Sequence, residues 1–166
     1  MPDISTQGAS PPDTADPFRL QRFVDAQEGV HDTALAELRA GKKRSHWMWF
    51  VFPQLRGLGQ SPMAQFYGVS SLDEARAYLA HPVLGPRLRS GARAVVDSPG
   101  RTVAEIFGSP DDMKFRSSMT LFALAADQRE GVFREALTVR CEGEMDERTA
   151  GMLGLDEAGN EPAENQ

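Results

Sequence analysis

The chain has 166 residues, 40% of them hydrophobic, which predicts one folded domain with a sizeable core. Its net charge of −6 arises at the two ends: seven acidic residues lie in residues 1–17 and 154–166, and removing them leaves residues 18–153 at +1, which disfavours sequence-independent nucleic-acid binding. One cysteine excludes an intramolecular disulfide, and the lack of a signal peptide or a long apolar run predicts a cytoplasmic protein with no membrane partner.

Both ends of the chain are predicted to be disordered tails. Residues 1–15 are rich in proline, serine, threonine and aspartate, and residues 154–166 form a similarly polar, acidic tail. Neither segment can bury an apolar face that would offset the entropy lost on ordering it. The folded unit is therefore predicted over residues 16–153.

Two helices are predicted at the start of the folded unit. Asp16 can cap the first helix and Pro17 can occupy its first turn, with apolar residues following at helical spacing as far as Gly29. The second helix begins around Asp32 and ends near Gly41, because glycine is the residue that most often terminates a helix.

The apolar segment Trp47–Phe52 follows a basic stretch and stops at Pro53. Its residues show neither a twofold nor a 3.6-residue period, so a short helix is favoured and a buried strand stays open. Residues 56–70 contain three glycines and a proline, and predict an irregular loop with one turn around residues 63–67. Such a loop is suited to forming the lid or the wall of a site.

Helical signals continue to the end of the folded unit. Ser71 and Glu74 have the spacing of a capping box and open a helix that ends before Pro82. Ser109 is predicted to cap a later helix, with Pro110 in its first position. The helices predicted in this half of the chain span residues 71–81, 82–96, 102–107, 110–126, 129–140 and 146–152.

The predicted fold class is all-α, because almost every segment follows the helical period and neither a hairpin nor a βαβ alternation is present. We expect a single irregular multi-helix domain with short loops. Its predicted core residues lie on the apolar sides of their segments and are Phe23, Leu35, Phe50, Leu79, Leu88, Phe115, Phe122 and Phe133.

A basic and aromatic cluster begins at Lys42, where Arg44 and His46 lie close to Trp47 and Trp49. Cations pair with anionic groups and indoles stack on flat rings, so the pattern suits a ligand that carries phosphates and a base. The alternative is that the cations are solvated while the tryptophans fill the core. The sequence leaves both interpretations open.

A second cluster, Lys114–Thr120, places polar side chains inside a predicted helix. Serine and threonine are weak helix formers, so Ser117, Ser118 and Thr120 indicate a ligand or a tertiary contact that holds them there. The alternative is that their hydroxyls bond back to the preceding turn under close helix packing.

Several classes of site are disfavoured by the motifs. The chain has no GxSxG elbow, no P-loop, no HExxH motif and no Rossmann glycine pattern. Its three histidines are far apart in sequence, which disfavours a histidine-rich metal site. Neither a metal nor a cofactor is predicted.

The clusters resemble the signature of a known family. The strings D-P-F-x-L-x-R-F-x-x-A-Q, K-x-S-H-W-M-W-F-V-F-P-Q, K-F-R-S-S-M-T-L-F and G-x-x-D-x-x-T are similar to domain-of-unknown-function family 1810 over about residues 16–153. That family is a helical bacterial domain of uncharacterised function, and some members are labelled calpastatin-like. The resemblance implies signature positions, without roles, at Gln27, Lys42, Ser45, His46, Trp47, Trp49, Pro53, Gln54, Lys114, Arg116, Ser117, Ser118 and Thr120.

The chain is also similar, more faintly, to the NAD- and ADP-ribose-associated superfamily. The segment Phe23–Gln27, the helix with Glu74 and Arg76, and the region of Lys114 occur in a similar order. The chain departs from that superfamily around Arg22, near where the superfamily carries an acidic residue.

The favoured function is binding of a small anionic molecule of the nucleotide or ADP-ribose type. In this interpretation cations hold phosphates and a tryptophan stacks on the base. An enzymatic version is N-glycosidic hydrolysis, with His46 as proton donor or orienter and Glu74 as the candidate acid. The alternative is a protein-interaction or regulatory module without catalysis, because tryptophan and arginine also anchor interfaces. A protein partner is not identified.

The two clusters are predicted to converge on one site. If they line one pocket, binding of a small molecule is favoured; separate or flat surfaces favour the interaction module. The candidate residues, with Gln27 and Tyr67 at the margin, are Gln27, Lys42, Arg44, Ser45, His46, Trp47, Trp49, Gln54, Tyr67, Glu74, Lys114, Arg116, Ser117, Ser118 and Thr120.

Overall fold

A computed structural model describes residues 16–98, 102–127 and 129–154, and these residues form ten helices. The helices are α1 (Gln21–Gln27), α2 (His31–Arg39), α3 (Met48–Val51), α4 (Pro62–Phe66), α5 (Leu72–Ala80), α6 (Leu84–Val96), α7 (Val103–Phe107), α8 (Asp111–Ala125), α9 (Val132–Arg140) and α10 (Glu147–Met152). The predicted all-α class is confirmed. The predicted tails lie outside the described residues, except for Gly154.

Helix α8 is the centre of the fold. It packs against α5, α7, α9 and α10, while α6 packs against α2, α5 and α9. Nine residues of α8 are buried, including Ser117, Ser118 and Thr120. A helix surrounded in this way has no continuous solvent-exposed face, which explains why its sequence shows no clear amphipathic pattern. None of the described helices is long and apolar enough to cross a membrane.

The predicted core is confirmed. Seven of its eight members are buried, and the eighth, Leu35, is partly buried and packs against the others. Aromatic rings link the core from one helix to the next. The Phe115 ring meets the Phe52 ring edge-on, with centroids 5.1 Å apart, and stacks on the Phe107 ring at 4.9 Å. The first and second clusters of the sequence are thus joined by core packing.

Local signals placed most helix starts correctly. Asp16 accepts the backbone N–H of Leu20 at 2.7 Å, although the helix itself starts only at Gln21. Ser71 accepts the N–H of Glu74 as predicted. The predicted cap at Ser109 is wrong. Pro110 occupies the position before α8 without a side-chain cap, and acids in the first turn, Asp111 and Asp112, meet the positive end of the helix instead.

A loop of residues 56–68 contains α4 and is closed at its neck. The backbone N–H of Arg56 donates to the carbonyl of Val69 at 2.7 Å, and the N–H of Val69 donates to the carbonyl of Gln54 at 2.9 Å. These bonds accompany the isolated bridge between Leu55 and Val69. The neck fixes both ends of the loop, and α4 lies between them. This is the loop that the sequence predicted to be a lid or a wall.

Candidate functional site

Glu37, near the end of α2, organises the basic and aromatic cluster. One of its carboxylate oxygens accepts the backbone N–H groups of Arg44 at 2.8 Å and Ser45 at 3.1 Å, and the indole N–H of Trp47 at 2.9 Å. The other oxygen accepts the Ser45 hydroxyl. Partial burial alone would raise the pKa of Glu37, but these bonds, led by that of Ser45, lower it from 4.5 to about 2.

The segment after α2 alternates between outward and inward side chains. Lys42, Arg44 and His46 are exposed, whereas Lys43 and Trp47 point inward. Trp47 is fully buried and belongs to the core. Trp47 therefore fills the core, as the second of the two interpretations of this cluster states, and its ring is enclosed by protein atoms.

An acidic residue links the two clusters. Asp111 pairs with the Lys43 ammonium at 3.0 Å through one oxygen and with the Lys114 ammonium at 3.6 Å through the other. Each lysine also lies over an indole: Lys43 is 5.1 Å from the Trp47 ring and Lys114 is 5.6 Å from the Trp49 ring. Asp111 therefore holds the Lys114 cation where the first cluster presents Trp49.

Members of both clusters line one narrow crevice. We call it the Trp49 crevice, and its walls are Met48, Trp49, Phe52, Gln54, Ala64, Tyr67, Gly68 and Lys114. The cavity between these walls has a volume of about 10 Å³. That is room for about one water. The side-chain oxygen Oε1 of Gln54 is buried and has no hydrogen-bond partner.

The hydroxyls of the second cluster are largely accounted for by packing. Ser117 donates to the Met113 carbonyl at 3.1 Å, and Thr120 donates to the Arg116 carbonyl at 2.8 Å, which is the bonding to the preceding turn that the alternative interpretation describes. Thr120 also accepts the backbone N–H of Asp146 at 2.8 Å and so fixes the start of α10. The buried Ser118 hydroxyl has no partner.

Arg116 faces a different part of the molecule from Lys114. Burial raises the pKa of the Cys141 thiol, and a hydrogen bond from the Arg116 guanidinium partly offsets this rise. Arg116 therefore lies against the C-terminal end of α9, outside the walls of the Trp49 crevice.

The different surroundings of Ser118 and Thr120 predict opposite effects on stability. Thr120→Val removes two hydrogen bonds and leaves the N–H of Asp146 unpaired, so we expect the free energy of unfolding to fall by about 1–2 kcal/mol. Ser118→Ala removes an unpaired buried hydroxyl, so the free energy of unfolding is expected to stay the same or rise by up to about 1 kcal/mol. Urea denaturation measures both. Equal losses in the two variants would contradict this assignment.

The two predicted catalytic residues are not brought together. Glu74 is 2% exposed, and its carboxylate accepts from Arg22 at 3.0 Å and from the backbone and hydroxyl of Ser70 at 2.8 Å. His46 is exposed on the segment that Glu37 organises. No contact joins His46 to Glu74 among the described residues.

Gln27 is a buried connector rather than a surface group. Its amide N–H groups donate to the Phe50 carbonyl at 2.7 Å and to the Tyr78 hydroxyl at 3.1 Å. Its amide oxygen accepts from Arg87 at 3.2 Å. These bonds use both ends of the amide, so Gln27 ties α1 to α3, α5 and α6.

Sequence reasoning missed Glu37 and the linking role of Asp111. The one signal for Glu37 is its position two residues before the end of α2, where the helix dipole disfavours an acid. An acid retained there needs another partner, which the following segment supplies. The dipole of α8 alone would account for an acid at Asp111, and the contact with Lys43 joins residues far apart in sequence.

Comparison with known proteins gives one family and one solved structure. The profile of the family DUF1810, described as a protein of unknown function, matches residues 17–153. The crystal structure of the conserved hypothetical protein Rv1873 from Mycobacterium tuberculosis is 55% identical, with a TM-score of 0.82, and the match covers 84% of this chain and 99% of that one. No curated protein matches the chain. The likeness to the ADP-ribose-associated superfamily rests on the sequence motifs alone.

Proposed function

This chain belongs to the DUF1810 family, as its motifs predict. We propose that it binds a small anionic molecule of the nucleotide or ADP-ribose type in the Trp49 crevice. The observation that supports the proposal is the buried, unpaired Oε1 of Gln54 beside an indole and a lysine. A buried acceptor without a partner costs about 1–3 kcal/mol. A ligand that donates a hydrogen bond to Gln54 removes that penalty.

The crevice offers three kinds of contact to such a ligand. An N–H of a base donates to Gln54, the base packs against Trp49 and Tyr67, and the Lys114 ammonium pairs with an anionic group. Asp111 neutralises part of the Lys114 charge, so the crevice offers one partly neutralised cation to the phosphate part of the ligand.

Binding requires the crevice to widen, because its present space is far below the 300–1,000 Å³ typical of small-molecule pockets. The movable wall is the loop of residues 56–68, which contributes Ala64, Tyr67 and Gly68. The opposite wall is formed by α3 and α8, which are packed into the core. We therefore assign the opening to this loop, hinged at the neck described above.

Catalysis is not part of the proposal. N-glycosidic hydrolysis would need an acid near the ligand, and both oxygens of Glu74 are engaged by Arg22 and Ser70 outside the Trp49 crevice. A protein-interaction role is the second candidate. It is supported by the exposed side chains of Met63, 39% exposed, and Phe66, 48% exposed, both on α4.

The proposal is tested by thermal shift with AMP and ADP-ribose, since a ligand that binds only the native state raises the melting temperature. We expect Gln54→Met and Lys114→Met to weaken binding by about tenfold each, as one lost polar contact of about 1.4 kcal/mol would do. Methionine keeps the apolar stem of each side chain, so packing on Trp49 is retained.

The matched control is Lys42→Met, which removes an exposed cation of the same cluster outside the crevice. Its affinity should equal that of the wild type. Separate titrations with adenosine and with ribose 5-phosphate distinguish the contribution of the base to the affinity from that of the phosphate. Equal weakening by Lys42→Met and Lys114→Met, or no shift with any of these compounds, would contradict the proposal.

A further inference from the structure

We propose that the chain has a second ligand site, for a small molecule that carries a phosphate or carboxylate next to an apolar group. The site is a cleft of about 350 Å³ that is also bordered by the 56–68 loop. We call it the arginine cleft, and its lining residues are Pro17, Phe18, Arg19, Arg22, Arg56, Gln65, Phe66, Ser70 and Glu74. Its volume is within the range of small-molecule pockets.

Arg22 builds the arginine cleft. Its side chain is 8% exposed, and its guanidinium donates to Glu74, to the carbonyls of Phe18 and Arg19, and to the carbonyls of Phe66 and Gly68, at distances of 2.7–3.0 Å. All five of its N–H groups are therefore used. Glu74 also neutralises the charge of Arg22. Arg22 therefore holds the walls of the cleft in place, and other residues bind the anionic group of the ligand.

Arg19 and Arg56 supply the free charge. Arg56 makes one side-chain hydrogen bond, from Nη2 to the Gly68 carbonyl at 3.0 Å, and the Arg19 guanidinium has no hydrogen-bond acceptor among the described residues. Neither arginine has an ion-pair partner in the described part of the chain. Two guanidinium groups with unused donors at one cleft match the geometry of a phosphate or carboxylate.

The acidic residues near the cleft have partners other than Arg19 and Arg56, and Glu74 pairs with Arg22. Asp16 forms no ion pair with Arg19, and its two carboxylate oxygens accept the backbone N–H groups of Leu20 at 2.7 Å and Gln21 at 2.9 Å. Phe66 and Phe18 add apolar walls beside the arginines. The cleft thus combines an anion-binding group with an apolar surface, which defines the class of ligand.

The backbone at Arg19 provides an independent argument. Its φ is +57°, in the left-handed region where an L-residue other than glycine or asparagine is strained. The turn that starts at Asp16, whose carbonyl accepts the N–H of Arg19 at 3.0 Å, imposes this conformation. Glycine would fit without strain. Strained residues are concentrated at functional sites, so an arginine in this position points to a role for its side chain.

The test is a titration with phenyl phosphate, followed by isothermal calorimetry. We expect saturable binding to the wild type, and a loss of about tenfold in affinity for Arg19→Gly and for Arg56→Met. Arg19→Gly should keep or raise the melting temperature, because it removes the strained conformation, so lost binding cannot be ascribed to unfolding. Arg76→Met, which removes an exposed arginine on α5, is the control and should bind as the wild type does.

Two further comparisons decide the details. In the Lys114→Met background, which weakens the Trp49 crevice, Arg19→Gly and Arg56→Met should still lower the affinity for phenyl phosphate by about tenfold, which separates this site from the crevice. Inorganic phosphate should bind more weakly than phenyl phosphate, because it cannot use the apolar walls. Absence of saturable binding, or affinities within about twofold of the wild type for both Arg19→Gly and Arg56→Met, would overturn the proposal. Equal affinity for the two phosphates would overturn the assignment of the apolar walls.

Discussion

Replacing Arg22 with methionine is expected to lower the free energy of unfolding by about 3–5 kcal/mol, because it leaves Glu74 as a buried charge without its cationic partner. The side chains of this ion pair are 8% and 2% exposed, and the two groups lie 3.0 Å apart. The same substitution removes donors from the carbonyls of Phe18, Phe66 and Gly68. The base of the 56–68 loop and the turn before α1 would both lose their anchor.

Urea denaturation measures this loss, and Arg76→Met is the matched control. Arg76 pairs with Asp73 at 3.4 Å, but the two side chains are 55% and 80% exposed, so the control should change the free energy of unfolding by less than about 1 kcal/mol. The double variant Arg22→Met with Glu74→Gln should recover part of the loss, because no buried charge remains. Similar losses for Arg22→Met and Arg76→Met would contradict the burial of this pair.

Replacing Glu37 with glutamine is expected to lower the free energy of unfolding by about 2–3 kcal/mol at pH 7. The carboxylate accepts four hydrogen bonds from three residues, and an amide can accept through only one of its two ends. The indole N–H of the buried Trp47 is among the donors at risk. The effect should therefore reach the core and not only the surface segment after α2.

The contribution of Glu37 is expected to depend on pH in a defined window. Its pKa is about 2 in the folded protein, against an ordinary value of 4.5, so the ionised carboxylate is favoured by folding. The resulting stabilisation is complete above pH 4.5 and declines as the pH falls towards 2. The difference in free energy of unfolding between wild type and Glu37→Gln should shrink over this range. A difference that stays constant from pH 5 to pH 2 would contradict the depressed pKa.

Much of the fold could be predicted because its signals are local. The Ser71 cap, the turn within residues 56–68 and the short helix α3 all follow from spacing, glycine content or segment length, and the structure confirms them. The error at Ser109 has a different origin. A side-chain cap requires a particular backbone geometry at the residue before the helix, and composition does not determine that geometry.

The site could be predicted only in part, because its residues are separated by tertiary packing. Trp47 and Trp49 are equivalent by composition, yet one is enclosed by the core and the other lines a crevice. The direction of each indole depends on how the segment docks on Glu37, a contact that the sequence does not reveal. The structure places Trp49, Gln54 and Lys114 together as chemistry-bearing groups, and leaves Lys42, Arg44 and His46 on the outer surface.

The two proposed sites share one loop as a border. Tyr67 and Gly68 border the Trp49 crevice, while Gln65 and Phe66 border the arginine cleft. A ligand in either site would contact the 56–68 loop. A shift of this loop on binding in one site would therefore change the shape of the other.

The central claim, binding in the Trp49 crevice, is tested most directly by tryptophan fluorescence during titration with AMP or ADP-ribose. The chain has two tryptophans, of which Trp47 is enclosed by the core and Trp49 lines the crevice. We expect the ligand to change the emission of the wild type in a saturable way, and the Trp49→Phe variant to lose most of that change, because a phenyl ring keeps the apolar wall without the indole. An equal change in emission in both proteins, or none in the wild type at saturating ligand, would contradict the claim.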